Sequence, residues 1–127
     1  MEITGTDFAV VWTKDFAAAA DFYENVLGLP CSKRYDKVPG GEFETGTLTL
    51  QVLEAQAVGH EFSPSSAPLA LHVDDVAAAR AELESRGVRF LDETMDTGVC
   101  HMAPFADPDG NMLLIHHRYA PPGAKPS

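Results

Sequence analysis

The apolar positions of this chain change period along its length. In residues 6–13, Phe8, Val10 and Trp12 alternate with Ala9, Val11 and Thr13, the period-two pattern of a strand with two distinct faces. Residues 16–27 then switch to helical spacing, with Phe16, Ala19, Ala20, Tyr23, Val26 and Leu27 on one stripe. Asp15 stands where an N-cap belongs, Gly28 where the helix must stop, and Pro30 prevents resumption. Residues 31–36, 42–45 and 47–54 read as three more strands, separated by a Pro39-Gly40-Gly41 turn and by Gly46. After a breaker-rich stretch the order begins again. Residues 69–73 are a strand, Asp75 an N-cap, and residues 76–86 a helix ended by Gly87. Strands follow at 88–91, 98–105 and 111–118.

Near the end of the chain, Asp107-Pro108-Asp109-Gly110 is turn chemistry: proline presets φ, glycine accepts positive φ, and the aspartates bond nearby amides. In the strand after it, Met112, Leu114 and His116 face one way and Leu113, Ile115 and His117 the other. The two halves repeat. Lys14-Asp15-Phe16-Ala17-Ala18-Ala19 returns as Asp74-Asp75-Val76-Ala77-Ala78-Ala79, and Gly46-Thr47-Leu48-Thr49-Leu50 as Gly110-Asn111-Met112-Leu113-Leu114. A doubled β-α-β-β-β unit is an internal repeat. It predicts one domain with module one at 4–54, a linker at 55–67, module two at 68–119 and a flexible tail at 120–127.

Composition narrows the function classes. With 127 residues, 45% apolar and 22% charged, the chain suits a single globular domain. No apolar run reaches the ~20 residues of a membrane helix, and the first residues lack the pattern of a secretory signal. Cys31 and Cys100 are far apart, which points to free thiols and a cytoplasmic setting. The net charge of −10 disfavours nucleic acid and anionic lipid as partners and suits a cationic small molecule.

Three stretches carry a family likeness. Phe22-Tyr23-Glu24-Asn25-Val26-Leu27-Gly28-Leu29, Val73-Asp74-Asp75-Val76 and Asp107-Pro108-Asp109-Gly110-Asn111, in this order on a doubled pattern, resemble the vicinal oxygen chelate superfamily. That group includes glyoxalase I, extradiol dioxygenases, fosfomycin-resistance enzymes and bleomycin-resistance proteins. The resemblance covers residues 8–118. It implies an α+β fold in which two βαβββ modules form curled mixed sheets around a cavity, the glyoxalase/bleomycin-resistance fold. The family's enzymes hold a divalent metal through His, Gln or Glu on the first and last strands of each unit. Carried over, those positions are Phe8, Leu50, Pro68 and Leu114, and none offers a side-chain nitrogen or oxygen. Gln51 points to the face opposite Leu50. The resemblance therefore implies a member with no metal site, no cofactor and no catalytic residues, like the bleomycin-resistance proteins, which bind drug and act as dimers.

The residues that fill the expected cavity are apolar and aromatic. Phe8, Trp12, Leu48, Leu50, Met112 and Leu114 form its wall, and His72, His101 and His116 supply hydrogen-bonding groups, although the pattern leaves the facing of His101 open. A few polar groups in an apolar cleft is how small-molecule sites are usually built. His116 and His117 are adjacent on a strand and cannot chelate together; His60 belongs to the linker surface. The expected function is binding and sequestration of a small, antibiotic-like aromatic molecule, with Glu42, Glu44, Glu54 and Glu61 steering a cationic ligand. The alternative is a metal-dependent glyoxalase-like lyase or isomerase, or a dioxygenase, with a displaced site on His72, His101 and His116. Sheet edges and the family's habits predict a homodimer.

Overall fold

The computed structural model describes residues 1–123; the last four residues of the tail expected at 120–127 lie outside the described residues. The chain divides into two compact units, Met1–Pro64 and a second beginning at Ser65. The first runs β1 (Phe8–Thr13), α1 (Phe16–Asp21), β2 (Cys31–Arg34), β3 (Gly40–Glu44) and β4 (Thr49–Glu54). The second runs β5 (Leu69–His72), α2 (Val76–Ser85), β6 (Met95–Asp96), β7 (Cys100–Ala106) and β8 (Met112–Arg118). The sheets have equivalent orders, β1-β4-β3-β2 and β5-β8-β7-β6. In each, the first strand runs parallel to the last and the other neighbours are antiparallel. The doubled βαβββ order and the mixed sheets are those of the glyoxalase/bleomycin-resistance fold.

The curled sheets around a cavity are not observed. Each sheet is an open ladder of four strands, with β1 and β2 as the edges of one and β5 and β6 as the edges of the other. Closure needs edge strands to pair. Within each unit the edges stand on opposite sides of two intervening strands.

Both helices start as the sequence dictates. Asp15 and Asp75 are extended and each accepts a hydrogen bond from the amide three residues on, Ala18 and Ala78. Phe16 N also donates to Glu54 Oε2 at 3.0 Å, so the end of β4 helps to cap α1. Past Asp21 the expected helix continues as a π-helical turn, Phe22–Val26. This wider turn carries Phe22 and Tyr23 together into the core, where both are buried.

One face of each sheet packs on its helix. In the first unit that face presents Val11, Thr13, Phe43, Leu50 and Val52, all buried, against Ala19, Ala20 and Tyr23. The Tyr23 and Phe43 rings lie 6.1 Å apart. Each aromatic ring fully removed from water contributes about 1.5–3 kcal/mol. In the second unit Leu113, Ile115, Ala103 and Phe105 play the same part under Val76 and Leu83.

Two differences from expectation change the strand layout by more than a frayed end. The expected turn glycines Gly40 and Gly41 lie within β3. A Cβ at Gly41 would stand 2.7 Å from the Lys33 carbonyl oxygen, so glycine is what lets β2 and β3 approach. Residues 88–91 do not form a strand; their ladder is a single bridge, Phe90 to Phe105. Leu91 N donates to Pro104 O at 2.8 Å, and Pro104 has no N–H to return, so pairing fails there. Met95–Asp96 takes the edge instead.

Candidate functional site

Each sheet has one face covered by a helix, so the other face is the one open to solvent and the candidate for binding. On the first sheet the register aligns two rows across the strands. Phe8 stands beside Thr49 and then Glu44; Val10 stands beside Gln51 and then Glu42. Each row passes from apolar on β1, through neutral polar on β4, to acidic on β3. Phe8 is 52% and Val10 41% exposed, a large apolar commitment to solvent for a strand that ends in a buried threonine.

The polar end of these rows is internally bonded. Tyr35 OH donates to Glu42 Oε2 at 2.6 Å and accepts from Gln51 Nε2 at 3.0 Å. Burial, reinforced by the bond to Glu42, raises the Tyr35 phenol above its ordinary value, with Gln51 opposing. Thr49 Oγ1 donates to Glu44 Oε1 at 2.6 Å and Ser32 Oγ donates to Glu44 Oε2. These donors lower the Glu44 carboxyl below its ordinary value, so it stays anionic. Between the rows and the start of β1 lies an open hollow of about 270 Å³, lined by Asp7, Phe8, Glu42, Thr49 and Gln51.

Several expected site residues are placed differently. Leu50 pairs with Ala9, faces the helix and is 1% exposed; it lies on the core side of the sheet. Leu48 precedes β4 in a turn, where its carbonyl accepts from the Thr45 amide and hydroxyl. Trp12 is on the open face beside Leu53, half-buried, with its ring stacked on His60 at 4.4 Å and 20°. His60, expected as plain surface, is thus the aromatic neighbour of Trp12.

On the second sheet, His72 and His116 are register partners, and Leu114 stands between Ala70 and Pro104. With Met102, Met112 and Ala106 this open face is apolar with an imidazole end. His72 is largely exposed, its Nε2 3.3 Å from Asp74 Oδ1. His101 pairs with His117, so it belongs to the opposite face from His116. Its Nε2 lies 3.3 Å from Asp96 Oδ2, while Tyr119 OH donates to Asp96 Oδ1 at 2.7 Å. Tyr119 and the Gly98 amide lower the Asp96 carboxyl, and the same bond raises the Tyr119 phenol. The register thus sets His72 beside His116, but the His72 ring lies near that of His117, 5.8 Å between centroids, and His101 stands apart from His116.

The donor set does not fit the family's metal. Among the described residues no three His, Cys, Asp or Glu side chains gather as ligands. Of the four carried-over positions, Phe8 and Leu114 lie on open faces without a donor, Pro68 precedes β5, and Leu50 faces inward. The open-face residues flanking Leu50 are Thr49 and Gln51, which leaves one amide and one hydroxyl where an ion needs several donors. Asp7, Tyr35, Thr49 and Gln51 are the site residues that sequence reasoning missed. The signal that finds them is the alternation of Glu42 and Glu44 with Phe43, which fixes which face of β3, and hence of β4, is polar.

Two four-stranded mixed sheets, each with one crossover helix and one open face, define a class of scaffold. Residues 5–115 match the family model described as Glyoxalase/Bleomycin resistance protein/Dioxygenase superfamily, and the chain belongs to that family. It is 28% identical over 114 residues to YraH, an uncharacterised protein of Bacillus subtilis (strain 168), covering 80% of this chain and 89% of that protein. Among solved structures it resembles TnmS3, an antibiotic binding protein from Streptomyces sp. CB03234, at 27% identity and a TM-score of 0.76, over 93% of this chain and 98% of that one. It also superposes on lactoylglutathione lyase from Agrobacterium tumefaciens with a TM-score of 0.76, over 91% of this chain and 94% of that one. At 16% identity that likeness speaks to fold alone.

Proposed function

We propose that this protein binds a small, antibiotic-like aromatic molecule on the open faces of its sheets and releases it unchanged. The observation that carries the reading is the first sheet's open face. It exposes Phe8 and Val10 beside a hydrogen-bonded row of polar groups, while the metal-ligand positions of the family's enzymes lack donors. An apolar surface with a few fixed polar groups suits recognition of an uncharged or cationic ring system. The likeness to an antibiotic binding protein supports the same class of ligand. Phe8 and Trp12 supply stacking area on the first sheet. Met112, Leu114, His72 and His116 supply an apolar contact surface with two hydrogen-bonding groups on the second. The protein works as a homodimer in the cytoplasm.

Titration with a panel of aromatic antibiotics, followed by Trp12 fluorescence and calorimetry, tests the proposal. Trp12 is the single tryptophan, so its signal reports the first sheet. The expected result is a saturable complex from which mass spectrometry recovers the intact antibiotic. Chemical conversion of the bound compound, or no response across the panel, would overturn it.

A further inference from the structure

The hollow on the first sheet has a chemistry that narrows the ligand. Its floor is Thr49 and Gln51 on β4, its apolar wall is Phe8 on β1, and carboxylates stand on both sides: Asp7 just before β1 and Glu42 on β3. Strands lie about 4.8 Å apart, so β1 and β3 are separated by roughly 10 Å across β4. Among the described residues neither Asp7 nor Glu42 takes part in an ion pair. Lys33 is opposite Glu42 in the ladder, yet its ammonium lies over the Tyr35 ring, 5.9 Å from the centroid. Among the described residues no lysine or arginine lines the hollow. Glu44 is different: Thr49 and Ser32 already occupy both its oxygens. Glu42 is bonded through Oε2 to Tyr35, whose hydroxyl is in turn held by Gln51. The carboxylate is therefore oriented, and it is in no ion pair among the described residues.

We propose that this hollow selects a protonated amine carried on an aromatic body. The ring lies against Phe8, and the ammonium reaches the Glu42 carboxylate, with Asp7 at the opposite rim. This rests on the reading that the open face of the first sheet is a binding face, and it names the ligand's charge. A cation between two carboxylates and beside an aromatic face gains from both. A carboxylate-bearing analogue meets like charge on either side and is rejected.

Three probes built on one phenyl scaffold separate the possibilities: 2-phenylethylammonium, the neutral 2-phenylethanol and the anionic 3-phenylpropionate. Binding to the full chain is followed by the amide signals of Glu42, Thr49 and Gln51 in heteronuclear magnetic resonance spectra. The expected order is ammonium, then alcohol, then carboxylate, with about a tenfold gap between the first two, since one charge-assisted contact is worth about that factor. E42Q keeps an oxygen for Tyr35 and should abolish the preference for the ammonium over the alcohol. D7N, at an exposed position, should weaken the ammonium alone by a smaller factor. Equal binding of ammonium and alcohol in the native protein, or an E42Q variant that still prefers the ammonium, would overturn the inference and leave the binding-face reading intact. Failure of every probe to shift the three amides would overturn both.

Discussion

At the scale of single residues, the first sheet is governed by how little space it leaves. Gly41 lies where β2 crosses closest, and an added Cβ would meet the Lys33 carbonyl at 2.7 Å and the Phe16 ring at 3.2 Å. Neither neighbour is a loose chain end. G41A is therefore expected to cost about 1–3 kcal/mol in urea unfolding, whereas G5A, which would meet nothing within 4 Å, should leave the midpoint where it is. Glu44 offers a second test. Its carboxyl is lowered by Ser32 and Thr49, so the bonds it accepts are in place above the ordinary glutamate value and are lost as pH falls through the lowered one. A carbon-detected titration should show Glu44 protonating at lower pH than exposed glutamates, and S32A should move it upward. Loss of the difference between native and S32A proteins would contradict that assignment.

At the scale of elements, the helix starts and stops were plain in the sequence. Asp15 and Asp75 cap as their positions require, and Gly28 and Gly87 end the helical segments with φ of 74° and 91°. The caps are not equal, however. α1 gains a second acceptor from Glu54, which holds the Phe16 amide. D75A should cost about 1 kcal/mol, and D15A less, when both are compared by thermal unfolding. What the sequence hid was register. Aligning Gly46 with Gly110 sets Leu50 over Leu114, but the buried partner of Leu50 in the second unit is Leu113. A one-residue slip in a strand exchanges its faces, which is why Leu50 moved to the core and Gln51 to the open side. The strand expected at 88–91 failed for a related reason, because the interruption lies in Pro104 on the partner strand and local propensity does not report it. The π-helical turn at Phe22–Val26 was equally out of reach, since its spacing differs from an α-helix by one residue per turn.

At the scale of the whole molecule, the charge of −10 and the missing donor set act in the same direction. The protein should show no measurable affinity for duplex DNA at near-physiological salt. Exhaustive chelation should leave its melting temperature unchanged; a drop would reveal an ion that matters. Sedimentation at micromolar concentration should give the mass of a dimer. Among the described residues no helix is long and apolar enough to cross a membrane. The Asp-Pro-Asp-Gly turn has a further effect far from its own position in the sequence. Asp107 accepts from the Asp109 and Asn111 amides and from the Asn111 side chain, and Asn111 Oδ1 accepts from Ser65 N at 2.8 Å. Met112 N donates back to Ser65 O at 2.9 Å. Ser65 belongs to no strand or helix, yet both its N–H and its carbonyl are held. In deuterated water its amide proton should therefore persist for as long as those of β8, and substituting Asn111 with alanine should release it within the time its irregular surroundings would lead one to expect.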